Sequence, residues 1–272
     1  MKAKWADKAD PEPVKIPFWA WPLVCVRGVL TAVIFLTGVV MTLILRLPEK
    51  LLFSARRPLT SGITTLVCRS TLWVIGLRFE LQGQVMAQGG AVVANHASWL
   101  DILVLNARKR IFFVSKSEVA AWPGIGFIAR LTGTVFITRN SRDAAAQTEV
   151  FNQRLSQGHR LLFFPEGTST DGLRVLSFKS TLFQAFFAQS LRDKMAIQPV
   201  SVRYYAPEGQ PDDFYGWWGD MDLGPHLLKV LASPRRGGAK VICHPALNVR
   251  DFEDRKKIAL ACEKSVASAF DI

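Results

Sequence analysis

"AVVANHASWLD", residues 91–101, carries an apolar run into Asn95-His96 and places a carboxylate, Asp101, five positions after the histidine. A continuous apolar run, without polar alternation, reads as a strand covered on both faces. Asn95-His96 then marks the strand end, and Ser98 reads as the cap of a following helix whose first turn holds Asp101. The chain turns at such a junction, so His96 and Asp101 can meet. A carboxylate on one imidazole nitrogen fixes the tautomer and leaves the other nitrogen a better proton acceptor. That pair is two-thirds of a triad with no fixed nucleophile, which makes the substrate the candidate nucleophile. A histidine hydrogen-bonded inside a turn fits the same letters, so this stretch alone leaves both readings standing.

Further β-rich runs follow: "RIFFVSK" from 110, "GTVFITR" from 133, "HRLLFFPEG" from 159, "IQPVSVRYY" from 197 and "AKVICHPAL" from 239. Helical segments lie between them. One is expected over Arg142–Gln157, capped by Ser141 and stopped by Gly158, and a last one from a cap at Asp251 to about Phe270. Strand–helix alternation predicts an α/β fold: a mixed, mostly parallel sheet flanked by helices, with an N-terminal membrane-associated helical segment. Residues 1–80 are expected to form that segment and 81–272 the α/β domain.

Four of the strand ends carry chemistry: His96, Lys116, Arg139 and Glu166. Ligands of open α/β sheets bind beyond the carboxyl ends of the strands. Arginine suits bidentate binding of phosphate or carboxylate, and Glu166 suits substrate hydroxyls. Each cation alone reads as a solvated surface charge; the four together do not.

Before residue 80 the texture is different. Gly28 to Leu45 contains no charged residue, with Trp19 and Trp21 placed just before it as interface anchors. The bland alternative is a buried core helix, though a core helix rarely lacks a polar stripe. Lys15 and Arg27 flank the run on one side, and Arg46, Lys50, Arg56 and Arg57 on the other, so the positive-inside rule does not orient it. Ile63–Phe79 is apolar with Arg69 at its centre, which reads as an amphipathic interfacial helix. The two segments suit a hairpin dipping into one leaflet, with Arg69 near head-group phosphates.

The chain has 34 Lys+Arg against 22 Asp+Glu and is 49% hydrophobic. That balance predicts an anionic membrane surface or a phosphorylated substrate as partner. Nucleic acid is not expected, because no zinc-finger, basic-zipper or RNA-binding signature is present. Cys25, Cys68, Cys243 and Cys262 form no CxxC pair and read as buried structural thiols. No metal site is expected.

The blocks together resemble the glycerolipid acyltransferase family. Its NHxSWxD block matches Asn95–Asp101, its second block Gly133–Arg139, its FPEGT block Phe164–Thr168, and its proline-centred block Ile197–Val200, across about 91–205. The resemblance implies that His96 is the general base, oriented by Asp101. It implies that Arg139, Glu166, Gly167 and Thr168, with Lys116, hold the acceptor's head group. It also implies an acyl-CoA or acyl carrier protein donor as co-substrate, no cofactor, and a membrane lipid acceptor. The acceptor expected first is 1-acyl-sn-glycerol-3-phosphate. The alternative is lyso-ornithine lipid, because "FYGWWGDMDLGPHLLKVL" from Phe214 resembles that branch; His226 within it is read as structural, and His159 and His244 receive no role. A lipid acceptor and a cytosolic donor predict an active site on the cytoplasmic face of the inner membrane. A serine hydrolase is the rival class, but there is no GxSxG elbow. A non-catalytic lipid-binding module is the third, and the His–Asp pair argues against it.

Overall fold

The computed structural model describes residues 5, 7–8, 15–53, 57–108, 111–138 and 144–270, the side chains of 144–147 excepted. A 3-10 turn at Phe18–Ala20 leads into α1 (Trp21–Phe53), and α2 (Thr60–Val74) runs back against it. The α/β domain then runs β1 (Leu77–Gln82), β2 (Gly90–Ala94), α3 (Leu100–Arg108), β3 (Phe112–Lys116), α4 (Ile125–Thr132), β4 (Val135–Ile137), α5 (Ala144–Ser156) and β5 (Arg160–Phe163). A short α6 (Gln189–Arg192), β6 (Ala196–Tyr205), α7 (Leu223–Ala232), β7 (Gly237–Cys243), β8 (Leu247–Asn248) and α8 (Arg255–Ala267) complete it.

The strands form one sheet in the order β1-β7-β6-β2-β5-β3-β4, with β8 paired to β6. All pairings are parallel except β6 with β7 and β6 with β8, as the alternation predicts. Strand β2 shows why its sequence is uniformly apolar. Val92 and Ala94 pack into the core layer with α2, α3 and α7, while Ala91 and Val93 pack into the opposite layer with Phe183, Phe186 and α8. Because β2, β5, β3, β4 and β6 all run the same way, their carboxyl ends share one end of the sheet.

Helix α1 is not a core helix. Its 33 residues extend about 50 Å at 1.5 Å per residue, and only 11% of its most apolar window is buried. Val26, Val29, Leu30, Val33, Leu36, Val40, Leu43, Ile44, Leu47, Leu51 and Leu52 lie exposed along it. Its inner seam meets α2 at Gly38, where a Cβ would come within 2.4 Å of Val67 Cγ2, so only glycine permits this approach. Both ends are fastened. The Arg27 guanidinium donates to the Leu231 and Ser233 carbonyls (3.0 and 2.7 Å) at the end of α7. The buried Glu49 carboxylate accepts from the Leu59 and Thr60 amides (2.7 and 3.0 Å) and the Thr60 hydroxyl (2.6 Å), capping α2 at the hairpin turn.

Several sequence expectations need correction. Ile63–Phe79 is not one helix: α2 stops at Val74, Gly76 turns at φ 77°, and Leu77 begins the sheet-edge strand β1. Arg69, exposed on α2, also donates through Nε to the Ala107 carbonyl at 2.7 Å and ties α2 to α3. The last helix is capped by Asp254, not Asp251, through the Lys256 and Lys257 amides, and ends at Ala267. Asp251 instead closes a 3-10 turn. Cys68, Cys243 and Cys262 are buried, but Cys25 is exposed on α1. Ser141, the expected cap of α5, lies outside the described residues.

Candidate active site

His96 and Asp101 meet where β2 turns into α3. His96 Nδ1 lies 2.7 Å from Asp101 Oδ2. The same oxygen accepts the Ala97 and Ser98 amides at 2.8 and 3.1 Å, and Oδ1 accepts the Tyr204 hydroxyl at 2.7 Å. Two amide donors and the Tyr204 hydroxyl therefore converge on a fully buried carboxylate, and the two amides fix Oδ2 as an acceptor. His96 Nδ1 must then be the donor, and the lone pair falls to Nε2. Burial pushes the Tyr204 phenol well above its ordinary value, so it stays protonated and keeps donating. The His96 side chain remains 21% exposed, its ring stacked on Phe164 with centroids 4.0 Å apart.

The backbone beneath the imidazole is also held. Asn95, fully buried at the end of β2, spans the gap to β6 with its side-chain amide: Nδ2 donates to the Val202 carbonyl (3.0 Å) and Oδ1 accepts the Val202 amide (2.8 Å). It continues the ladder past the last strand residue. The His96 amide donates to Glu166 Oε1 at 2.8 Å, and the Thr170 amide donates to the His96 carbonyl at 3.0 Å. Ser98 does not cap α3 through its side chain: its Oγ is buried and makes no hydrogen bond among the described residues. The first turn is held from inside by Asp101.

Glu166 is placed otherwise than its sequence context suggests. It is 2% exposed. Its second oxygen accepts the Leu176 amide at 3.1 Å, so both oxygens are engaged by backbone rather than turned to a substrate. Burial pushes its carboxyl up to about 8, with the nearby Asp101 and Glu263 carboxylates adding to the shift. Gly167 turns the chain at φ 75°, and its carbonyl accepts from Lys116 Nζ at 3.2 Å. The structure thus joins the ends of β3 and β5. A Cβ on Gly167 would also lie 2.7 Å from Lys179 Nζ, a further cation at this end that sequence reading missed. Thr168 is half-buried beside Gly167. Arg139 lies outside the described residues; the strand before it pairs Ile137 with Lys116.

The segment from Phe214 packs on the same loop. The Trp217 amide donates to the Ala97 carbonyl at 2.9 Å, and Gly216 lies against the Asp171 backbone, where a Cβ would come within 2.5 Å of its carbonyl oxygen. Trp99 Nε1 donates to His226 Nδ1 at 2.9 Å. Burial pushes His226 down to about 3, so it stays a neutral acceptor, in keeping with a structural role. Tyr204 was the main omission of the sequence reading. It lies 103 residues from Asp101 in the chain, and only the β2–β6 pairing brings the two together.

An imidazole held on one nitrogen by an enclosed carboxylate, at the end of a strand, leaves its other nitrogen with the lone pair, an arrangement able to accept a proton. Residues 77–203 match the family model described as "Acyltransferase", and the chain belongs to that family. It is 53% identical over 242 residues to the lyso-ornithine lipid O-acyltransferase of Rhodobacter capsulatus, covering 89% of this chain and 88% of the relative. It is 36% identical to the 1-acyl-sn-glycerol-3-phosphate acyltransferase of Neisseria gonorrhoeae, with 71% and 73% covered. The crystal structure of the 1-acyl-sn-glycerophosphate acyltransferase PlsC from Thermotoga maritima superposes with a TM-score of 0.64 at 17% identity, covering 93% of this chain and 96% of that one, which shows the shared fold.

Proposed function

We propose that this acyltransferase moves a fatty acyl chain from an acyl thioester to the free hydroxyl of lyso-ornithine lipid. The chemistry is carried by one observation, the 2.7 Å contact of His96 Nδ1 with the enclosed Asp101 carboxylate. His96 Nε2 takes the proton of the acceptor hydroxyl as that oxygen attacks the thioester carbon. The tetrahedral intermediate collapses, the C–S bond breaks, and the thiolate leaves. Thiols have a pKa of about 8.5, so thiolate is a good leaving group. The imidazolium returns its proton to the sulfur, giving an ester and a free thiol. The acid–base cycle uses only these groups. Ser98, fully buried, is not available as a rival nucleophile.

The acceptor follows from the comparisons. The sequence put 1-acyl-sn-glycerol-3-phosphate first and lyso-ornithine lipid second; 53% identity to the Rhodobacter capsulatus enzyme along nearly the whole chain favours the second. Lys116, at the end of β3, and Arg139, two positions beyond β4 in the sequence, are proposed to hold the acceptor's anionic group. Glu166, Gly167 and Thr168 are proposed to shape the loop around it. The donor is acyl-CoA or acyl carrier protein.

The enzyme is membrane-associated, and we place its helical hairpin in one leaflet rather than across it. Fastening of α1 by Arg27 at one end of the sheet and by Glu49 at the hairpin turn supports this, because the long apolar face then lies beside the α/β domain. The active site would face the cytoplasmic side of the inner membrane, where the thioester is made.

The test is acyl transfer by the purified full chain in detergent. It uses radiolabelled acyl-CoA and acyl carrier protein against lyso-ornithine lipid and 1-acyl-sn-glycerol-3-phosphate. Higher kcat/KM for lyso-ornithine lipid is expected; a preference for the phosphate acceptor would reverse the assignment.

A further inference from the structure

At the end of the sheet remote from His96, the amino ends of β3, β4 and β5 meet the far end of α1. A cavity of about 320 Å³ opens there, lined by Phe53, Arg57, Phe112, Gln157, His159 and Arg160 among others. Among the described residues the charges around it do not balance locally. Arg57 feels the guanidiniums of Arg46 and Arg154, with Glu49 as its acidic neighbour among the described residues. That carboxylate is already engaged by two amides, the Thr60 hydroxyl and Arg46 Nη1. Among the described residues the two other arginines find no carboxylate: Arg57 Nη1 donates to the Leu131 carbonyl (2.7 Å), and Arg154 Nη2 donates to the Gly133 carbonyl (3.4 Å) at the end of α4 while its guanidinium lies over the Phe112 ring. Helix-end carbonyls carry a partial charge and do not neutralise two guanidiniums. Arg57 Nε is buried and has no hydrogen-bond partner among the described residues, and neither has Gln157 Oε1.

Burial, together with the neighbouring Arg46 and Arg154, pushes the Arg57 guanidinium down to about 10. Crowded, half-buried cations of this kind gain most from a multivalent anion such as a phosphoryl group. The rim indicates its source. Phe53, 44% exposed, lines the cavity and also ends the apolar face of α1, next to Leu51 and Leu52. A ligand there would have its anionic group among arginines and its body against membrane-facing apolar side chains.

We propose that this cavity is a second lipid site, taking the phosphodiester head group of an anionic phospholipid through Arg57, which lines it, with Arg154 behind the lining residue Phe112 and Arg46 adding their charge to that of Arg57. The site is distinct from the acyl-acceptor site, and it rests on the membrane-facing reading of α1. Its occupant fixes the far end of the hairpin to the bilayer surface and takes no part in transfer.

The full chain in detergent is incubated with equal phosphatidylglycerol and phosphatidylcholine, and the lipids it retains are counted by native mass spectrometry. Preferential retention of one phosphatidylglycerol is expected, falling about fivefold in Arg154→Gln. Transfer kcat and flotation on phosphatidylcholine vesicles should not change. Arg57→Gln also removes a helix cap, so Arg154→Gln, checked for folding by its melting curve, carries the decision. Lys257→Gln, an exposed side chain on the outer face of α8, controls for general charge. Undiminished phosphatidylglycerol retention in Arg154→Gln would overturn the proposal, as would an equal loss in Lys257→Gln or equal retention of phosphatidylcholine. Displacement of the lipid by millimolar inorganic phosphate would overturn the lipid assignment. Lost flotation of the unmodified chain on neutral vesicles would instead count against the membrane-facing hairpin.

Discussion

The Tyr204 hydroxyl donates to Asp101 Oδ1 at 2.7 Å from the neighbouring strand, so the carboxylate that holds His96 is itself held from β6. Tyr204→Phe removes that donor and leaves a buried carboxylate oxygen without it. Hydrogen bonds to charged groups are worth about 1.5–3 kcal/mol. We expect kcat to fall roughly tenfold or more, with the KM of both substrates nearly unchanged. A rise confined to KM would remove Tyr204 from the positioning of the pair.

His96→Ala should abolish transfer while the chain still folds and binds membranes. Asp101→Asn keeps the shape but turns an amide group toward a site furnished with donors, so the imidazole loses its fixed tautomer. The comparable change in serine proteases costs about 10⁴-fold. Near-normal turnover of purified His96→Ala would end the general-base proposal.

Glu166 makes a pH-dependent prediction. Its folded value of about 8 lies above the ordinary 4.5, so the folded state holds this proton more tightly than the unfolded chain does. The resulting stability is fully present below 4.5 and is lost as pH rises through about 8. Glu166→Gln lacks this dependence and cannot accept both backbone amides. Its melting temperature should therefore lie furthest below that of the unaltered chain in acid, with the gap closing toward alkaline pH. A gap that widens as pH rises would contradict the assignment.

Arg139→Ala should raise the KM for the lysolipid far more than that for the thioester, a cost of roughly 2–5 kcal/mol if the charge is paired in a desolvated site. A larger rise for the thioester would assign Arg139 to the donor.

The hairpin can be mapped with cysteines at Lys15 and Arg236 in a background lacking the four native cysteines. An impermeant thiol reagent applied to intact spheroplasts should leave both unlabelled, and both should label once the membrane is broken. Labelling of Lys15→Cys alone in intact spheroplasts would show that α1 crosses the bilayer.

The sheet class, the long apolar helix and the meeting of His96 with Asp101 were all legible in the amino-acid sequence. These rest on local physics: strand and helix periodicity, and a turn short enough to bring together residues five apart. Sequence reading failed where the deciding contact is distant. Gly76 ends α2, and the segment after it is a strand because β7 is there to pair with it. Glu166 reads as a free carboxylate at a loop until the fold brings the His96 and Leu176 amides onto its oxygens. Tyr204 carries no motif at all, and its bond to Asp101 exists only because β6 lies beside β2. Periodicity fixes which side of an element is apolar. Which partner meets a buried polar group depends on chain segments far away in sequence, and those are brought together only when the whole chain has folded.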